Sequence, residues 1–170
     1  MRARAELAQV WPRDGRLRLI GRLCGPRPAG TGEAGETVDP GGAAWDTELV
    51  LLVARRAAAG AGAAAGPLRY PVTLDGREWD AWLPVADLVP ERLAAPLVWD
   101  LWLVPPRAAG ERPRLRVGRV LDDIRDKKTI MVFPGQRVCA GPVTAVVRPY
   151  YTIKENLSVE VRAMEPEAAG

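Results

Sequence analysis

The stretch from Val143 to Ala163 constrains the fold most, because its two halves carry the side-chain pattern of paired β-strands. The first half is rich in β-branched and aromatic residues, and the second half alternates apolar with polar side chains from Leu157 to Arg162. Successive side chains of a strand point to opposite faces, so this alternation creates one apolar and one polar face. A polar corner at 154–156 separates the halves, and the stretch therefore predicts a β-hairpin.

Strand patterns recur along the rest of the chain. Two more hairpins are predicted, at 5–24 and 68–83, because each has an Asp-Gly pair at its centre and glycine accepts a positive φ without a Cβ clash. Apolar or alternating runs at 48–56, 97–104 and 115–121 predict further strands. We therefore predict an all-β fold, an antiparallel β-sandwich of the immunoglobulin-like class, with about eight to ten strands and long Gly/Ala-rich loops.

Proline positions refine this prediction. Pro71 has no backbone N–H to give to a ladder, which predicts that its strand lies at a sheet edge. The segment Val85–Leu93, limited by Pro84 and Pro90, predicts a short helical turn.

The expected domain organisation is simple. Residues 1–163 are predicted to form a single domain, with flexible loops at 25–44 and 57–67 and a disordered tail at 164–170. A chain of this length buries about 70% of its unfolded surface, so a sizeable core is possible without staples.

Charge, cysteine content and hydropathy limit the partners and the location. The 24 basic and 21 acidic residues are interspersed, which argues against a nucleic-acid surface. Cys24 and Cys139 have no metal-ligand spacing, and two buried thiols in a reducing compartment are favoured, although a disulfide stays open. No signal-peptide pattern and no apolar window of about 20 residues is present, so we expect a cytoplasmic protein without a membrane span.

The chain contains no histidine. This excludes Ser-His-Asp and Cys-His nucleophilic sites, histidine-ligated metals and imidazole acid–base chemistry. A phosphate-binding Walker loop and a dinucleotide-binding glycine motif are also missing, so we expect neither cofactor nor metal nor catalytic residues.

Acidic residues cluster in one charged segment at 122–128. The carboxylates in it can bind a hard cation or act as a glycosidase pair, but basic residues interleave with them. A salt-bridged, solvated bend is therefore favoured. The acidic members are Asp122, Asp123 and Asp126, and the basic members are Arg125, Lys127 and Lys128.

Four tryptophans fall in two pairs, Trp79 with Trp82 and Trp99 with Trp102. They can form a platform on which the apolar faces of a sugar stack, or they can pack in the core. Because the members of each pair are an odd number of positions apart, each pair is predicted to split between the two faces of its strand.

Several phrases in the second half of the chain resemble a known family. They are Trp99-Asp100-Leu101-Trp102-Leu103, Arg116-Val117-Gly118-Arg119, the charged segment at 122–128, Val147-Arg148-Pro149-Tyr150-Tyr151-Thr152 and Asn156-Leu157-Ser158-Val159. They are similar to the C-terminal β-sandwich region of actinobacterial family-2 glycosyltransferases, which resemble teichoic-acid-type transferases of cell-wall polymers. The resemblance implies an immunoglobulin-like accessory module for polymer binding or oligomerisation. The Asp-x-Asp metal motif and the transferase domain of that family are missing, so catalysis does not carry over.

The first functional hypothesis is a non-catalytic accessory or carbohydrate-binding module that is associated with cell-wall polymer glycosyl or glycerophosphate transfer, and that binds an anionic glycan or docks an enzyme. Its expected partners are an anionic glycan or polymer and a glycosyltransferase. Cations would meet phosphodiester groups, and aromatic faces would meet sugar rings. The candidate ligand-binding residues are Trp99, Trp102, Arg125, Lys127, Lys128, Arg148, Tyr150 and Tyr151.

Two alternatives stay open. One is an oligomerisation or protein-interaction module that uses exposed sheet edges and forms a homo-oligomer. The other is a histidine-free isomerase or cyclase that uses a buried carboxylate as a base, with Asp80 and Asp100 as the first candidates because each lies beside tryptophans on a predicted strand.

Overall fold

The structure, a computed structural model, describes residues 4–25, 49–56, 66–104, 115–119 and 133–164. These ranges contain ten strands and one 3₁₀ helix, Val85–Leu88. The strands are β1 (Arg4–Arg13), β2 (Arg16–Cys24), β3 (Val50–Arg55), β4 (Leu68–Asp75), β5 (Glu78–Pro84), β6 (Leu97–Val104), β7 (Leu115–Gly118), β8 (Gln136–Ala140), β9 (Val143–Tyr151) and β10 (Leu157–Ala163).

Seven of the strands close into a barrel, in the order β3-β4-β5-β2-β1-β7-β6. The barrel closes because β6 also pairs with β3, from Val50 opposite Val104 to Arg55 opposite Trp99. Its pairs are antiparallel except for β1 and β7, which run parallel. The predicted antiparallel, immunoglobulin-like sandwich is therefore wrong, although the all-β prediction is confirmed. Alternation separates an inner from an outer face in a barrel and in a sandwich alike, so it does not distinguish them.

Strand β4 shows why the edge prediction for Pro71 is wrong. Residues 68–71 pair with β3, whereas 72–75 pair with β5, so β4 has neighbours on both sides. Pro71 lies where the strand exchanges one partner for the other. The missing N–H therefore removes no bond from a continuous ladder, and the proline is tolerated inside a closed sheet.

The inner faces of the strands form one continuous core. Trp79 is fully buried, and its indole packs over Gly21, where an added Cβ would lie 2.6 Å from the ring and would also meet the carbonyl oxygen of Glu6. Leucine dominates the rest of the barrel interior, where the largest fully buried members are Leu7, Leu17, Leu19, Leu23, Leu51, Leu83, Leu101 and Leu103.

Strands β10, β9 and β8 extend from β6 as a three-stranded wing. The wing packs against the 3₁₀ helix at one end of the barrel, with Tyr151 next to Phe133 at a centroid separation of 5.8 Å. Gln136 ties the wing to the turn between β1 and β2, because its amide accepts from the N–H of Gly15 at 2.8 Å and donates to the carbonyl of Arg16 at 2.7 Å.

Barrel and wing share one edge of β6, which we call the fork. The β6–β10 ladder ends at Asp100 opposite Ser158, and the β6–β7 ladder begins at Trp102 opposite Arg116. The guanidinium of Arg116 fills the gap between the two ladders. It donates to the carbonyls of Leu101 and Leu157, at 2.9 and 2.8 Å, and to Asp100 and Ser158, at 2.8 and 3.0 Å.

Gly118 lets the two branches of the fork approach each other. It bridges to Asn156, and a Cβ built at Gly118 would lie 2.5 Å from the carbonyl oxygen of Glu155. Because the obstacle is backbone, a side chain at this position would have to separate β7 from the turn between β9 and β10.

The predictions of hairpins and turns are more accurate than the prediction of the overall architecture. The three predicted hairpins are present, with positive φ at Asp14, Gly15 and Gly76 in the first two turns, and the predicted helical turn is the 3₁₀ helix. Strand β8 was not predicted. Most of the predicted loops at 25–44 and 57–67, the segment at 122–128 and the tail after 164 lie outside the described residues, and the single-domain assignment stays a prediction. Within the described ranges, no helix has the length and apolarity to cross a bilayer.

We expect Gly118→Ala to lower the free energy of unfolding by about 1–3 kcal/mol, because the new methyl group meets backbone on the facing turn. Gly66→Ala is the control, since a Cβ there has no neighbour within 4 Å. Chemical denaturation of both variants measures the difference. Equal stabilities of the two variants would contradict the close approach at the fork.

We expect Arg116→Met to lower the free energy of unfolding by about 3 kcal/mol, because it leaves Asp100 and two backbone carbonyls short of a donor. The control is Arg18→Met, which breaks a surface pair between Arg18 and Asp80 without touching a carbonyl. That change should cost much less, because the pair is exposed to solvent. Similar costs for the two variants would refute the structural role of Arg116.

Candidate ligand-binding face

The outward side chains of β3, β6, β10 and β9, together with Arg56 just after β3 and Arg116 on β7, form a face that is dominated by arginine. Two cross-strand rows run over it: Ala54, Asp100, Ser158 and Tyr150 lie in one, and Val98, Glu160 and Arg148 lie in the next. The strands place these residues together because positions two apart point to the same side. We call this surface the arginine face. Its charged members are Arg56, Arg116, Arg148, Arg162, Asp100 and Glu160.

Asp100 is the centre of the first charge cluster. Arg56 donates to both of its carboxylate oxygens, at 2.8 and 3.1 Å, and Arg116 donates to one of them at 2.8 Å. The hydroxyl of the buried Ser158 donates to the same oxygen at 2.7 Å. The Asp100 side chain is only 13% exposed, so the arginines lie between the carboxylate and solvent.

These contacts set the protonation states of the cluster. Burial acts to raise the pKa of Asp100, but the hydrogen bonds from Arg56 and Ser158 and the positive charges of both arginines outweigh it, and the pKa is lowered. The hydrogen bond to Asp100 raises the pKa of Arg56. Burial lowers the pKa of Arg116, against the attraction of Asp100. Asp100 is therefore a charged acceptor, which is the opposite of the raised pKa that a buried carboxylate base needs.

Asp80, the other carboxylate considered as a base, also lies in an ion pair. Arg18 donates to its two oxygens at 3.1 and 2.6 Å on the outer face of β2 and β5. Neither carboxylate points into the barrel, so the geometry gives the isomerase or cyclase hypothesis no enclosed base at these two positions.

Glu160 is the centre of a second, similar cluster. Arg162 donates to one of its oxygens at 2.6 Å, and Arg148 approaches the other at 3.6 Å. Here too the acid is 16% exposed, whereas both arginines are largely exposed. Across the arginine face, four guanidinium groups share two carboxylates, which leaves two formal positive charges directed at solvent.

Aromatic rings border the charged groups. Trp102 lies beside the fork, and the Arg116 guanidinium stacks over its ring at 5.0 Å. Tyr150 follows Ser158 in the cross-strand row, and its interaction with the Arg56 side chain helps to raise the pKa of Arg56. The face therefore combines cations with partly exposed aromatic surface.

The structure brings together three of the eight predicted ligand-binding residues, Trp102, Arg148 and Tyr150, on the arginine face. Two others are in the core: Trp99 donates its indole N–H to the carbonyl of Leu88 at 3.1 Å, and Tyr151 is buried against Phe133. Neither is available to a ligand at the surface. Arg125, Lys127 and Lys128 lie outside the described residues.

Sequence reasoning missed Arg56, Arg116 and Arg162 as members of this face. Arg116 and Arg162 have outward positions in alternating runs, a signal that was present, but which strands adjoin β6 depends on the barrel pairing. The predicted split of the tryptophan pairs is confirmed, because Trp79 and Trp99 are buried while their partners point outward.

The cysteines differ from the expectation of buried thiols. Cys139 is exposed on β8, Cys24 is partly exposed at the end of β2, and both are free. Within the described ranges, no cluster of three His, Cys, Asp or Glu side chains is arranged to hold a metal ion. The three carboxylates of segment 122–128 lie outside those ranges.

The lowered pKa of Asp100 predicts a pH-dependent contribution to stability. A carboxylate with a depressed pKa stabilises the fold fully above its unfolded value of 3.8, and this contribution is lost as pH falls through the folded pKa. The stability difference between wild type and Asp100→Asn should therefore be larger at pH 7 than at pH 3. Denaturation at both pH values measures it, and a constant difference would contradict the ionised state of Asp100.

Comparison with solved structures finds this fold in TarS of S. aureus. The chain superposes on the TarS crystal structure with a TM-score of 0.61 and 13% sequence identity, over 96% of this chain and 25% of that chain. On the structure of TarS 217-571 the TM-score is 0.58 with 11% identity, over 98% of this chain and 40% of that chain. No family model and no curated protein matches the sequence. The likeness shows a shared fold, and this chain spans less than half the length of either TarS chain.

Proposed function

We propose that the chain is a non-catalytic accessory module associated with cell-wall polymer glycosyl or glycerophosphate transfer, and that it binds an anionic glycan polymer on the arginine face. TarS, with which it shares its fold, is a teichoic-acid glycosyltransferase. The likeness covers a minor part of each TarS chain, which supports an accessory role. The actinobacterial source, the C-terminal position and the cytoplasmic location stay predictions.

The observation that carries the proposal is the ratio of guanidinium groups to carboxylates. Asp100 and Glu160 each hold two arginines in place, and each carboxylate can neutralise only one of them. The acids therefore orient the guanidinium groups without cancelling their charge. The remaining N–H donors of Arg56, Arg148 and Arg162 face solvent, at a spacing set by neighbouring strands about 4.8 Å apart.

A phosphodiester polymer matches this arrangement. A guanidinium presents a planar fork of donors that fits two phosphate oxygens, and such charge-assisted bonds are the strong ones. Tyr150 and Trp102 lie at the side of the cations, where a sugar or polyol between two phosphates would contact an aromatic surface. Because the attraction is electrostatic and exposed, the affinity should fall as salt is raised.

Such a module would act by raising local concentration. A polymer held at one face keeps its chain near a glycosyltransferase partner, which turns later encounters into intramolecular ones. This role needs no catalytic group in the module itself.

The test is a calorimetric titration of the purified chain with a glycerol-phosphate polymer, carried out at two salt concentrations. Arg148→Gln with Arg162→Gln should weaken binding about tenfold or more, since each charge-assisted bond contributes about 1.5–3 kcal/mol. The control is Arg22→Gln with Arg92→Gln, which removes the same charge from exposed positions elsewhere.

Binding that is equally weak in both double variants would attribute the attraction to net charge alone and refute the specific face. Wild type that does not bind the polymer would remove the proposed function itself. The hypothesis of an oligomerisation module stays a prediction, and a monomeric mass at high protein concentration would exclude it.

A further inference from the structure

A second exposed surface lies on the outer face of β1, β2 and β5, away from the arginine face. Trp11, Arg18 and Trp82 stand directly opposite one another on these three strands and form a single cross-strand row. Both tryptophans are about half exposed, at 46% and 49%. Among the described residues, the exposed large hydrophobic side chains are these two tryptophans and Ile153. We call the row and its immediate neighbours the tryptophan strip.

Each ring of the strip is held by a polar neighbour. The indole N–H of Trp11 donates to the side chain of Gln9 at 2.9 Å, and the guanidinium of Arg16 lies 4.7 Å from the ring centroid of Trp82. Between the rings, Arg18 is fixed by its two bonds to Asp80. Fixed side chains lose little conformational entropy when a ligand arrives, so the strip is preorganised for binding.

The surroundings of the rings distinguish this strip from the centre of a protein interface. The two indoles stand two strands apart, roughly 10 Å, and Arg18, which is bonded to Asp80, lies between them. A protein interface is apolar and contiguous at its core, with its polar groups at the rim. Here the partly exposed Ile20 is an apolar outward neighbour, but most of the others are polar or charged, namely Gln9, Arg13, Arg16, Arg22, Glu78 and Asp80.

Isolated aromatic faces with fixed hydrogen-bonding groups between them fit a chain of sugar rings. The apolar face of a pyranose packs on an indole, while its hydroxyls need both donors and acceptors at the side. Arg18 offers donors, and Asp80 and Gln9 offer acceptors. We propose that the tryptophan strip binds an uncharged glycan chain laid across β1, β2 and β5, with one sugar on Trp11 and another on Trp82.

The central ion pair of the strip distinguishes this site from the arginine face. Arg18 is neutralised by Asp80, so hydroxyl groups rather than phosphates match the centre of the row. Because the proposed ligand is uncharged, binding here should change little with salt, whereas binding of a phosphodiester polymer on the arginine face should weaken. The proposal does not rest on the proposed function, and either one can fail alone.

The experiment is affinity electrophoresis of the intact chain in native gels that contain glycol chitin, xylan, mannan or hydroxyethyl cellulose as neutral probes. At least one probe should retard the wild type, to the same extent at low and high salt. Trp11→Ala and Trp82→Ala should each weaken retardation about tenfold, and the double variant should abolish it. Trp82→Phe should keep most of the affinity, because it retains an aromatic face. The control is Arg148→Gln with Arg162→Gln, which removes charge from the arginine face and should leave retardation by the neutral polymer as in wild type.

Three results would overturn the proposal: no retardation by any of the four polymers, retardation that survives loss of both indoles, or retardation that salt abolishes. Because both rings are exposed, the alanine variants should fold like wild type, and thermal denaturation checks this. Should a variant unfold, the indole N–H resonances of wild type titrated with the retarding polymer replace it, and unshifted Trp11 and Trp82 signals would then refute the site. A concentration-dependent mass that both alanine changes remove would assign the strip to a second copy of the chain.

Discussion

The fork at β6 depends on the guanidinium of Arg116. One edge of β6 serves two partners, β10 along its first half and β7 along its second, and the ladder is interrupted where they change. An interrupted ladder leaves backbone carbonyls without donors, which is costly away from water. Arg116 supplies those donors from a side chain, so the same residue joins barrel to wing and anchors Asp100. The junction between barrel and wing and the charged centre of the arginine face are therefore one cluster.

The two outward surfaces use arginine in different ways. On the arginine face, each carboxylate is shared and the guanidinium groups keep a surplus of charge. On the tryptophan strip, the central arginine is matched one to one by Asp80, and aromatic area is what remains available. Residue composition alone is similar in the two places. The pairing of the central arginines and the exposed aromatic area distinguish the two surfaces.

Much of the local structure, including the three hairpins, could be predicted from the sequence, whereas the pairing of strands that are distant in the sequence could not. Asp14-Gly15 and Asp75-Gly76 specify tight turns by backbone chemistry, and odd spacing separates Trp79 from Trp82 whatever the architecture. The parallel contact of β1 with β7 and the closure of β3 on β6 join distant segments. The alternation of apolar and polar side chains along a strand does not show which strand is its partner. The same limit applies to the site: Arg148 and Tyr150 were found from their own strand, but Arg56 and Arg116 become their neighbours only through the pairing of β3, β7 and β10 with β6.

The parallel pairing of β1 with β7 also bears on how the chain reaches this fold. Ala5 lies opposite Val117, so the two partners are separated by more than a hundred residues, and the barrel cannot close before β7 is available. Contacts of such long sequence separation slow folding, because the loop entropy is lost before the contact is gained. During synthesis the edge of β1 that faces away from β2 stays unpaired until β7 has been made. Arg4 and Glu6, which lie at the end of β1 that later meets β7, place charge on that edge, and charge of this kind discourages premature pairing with other chains.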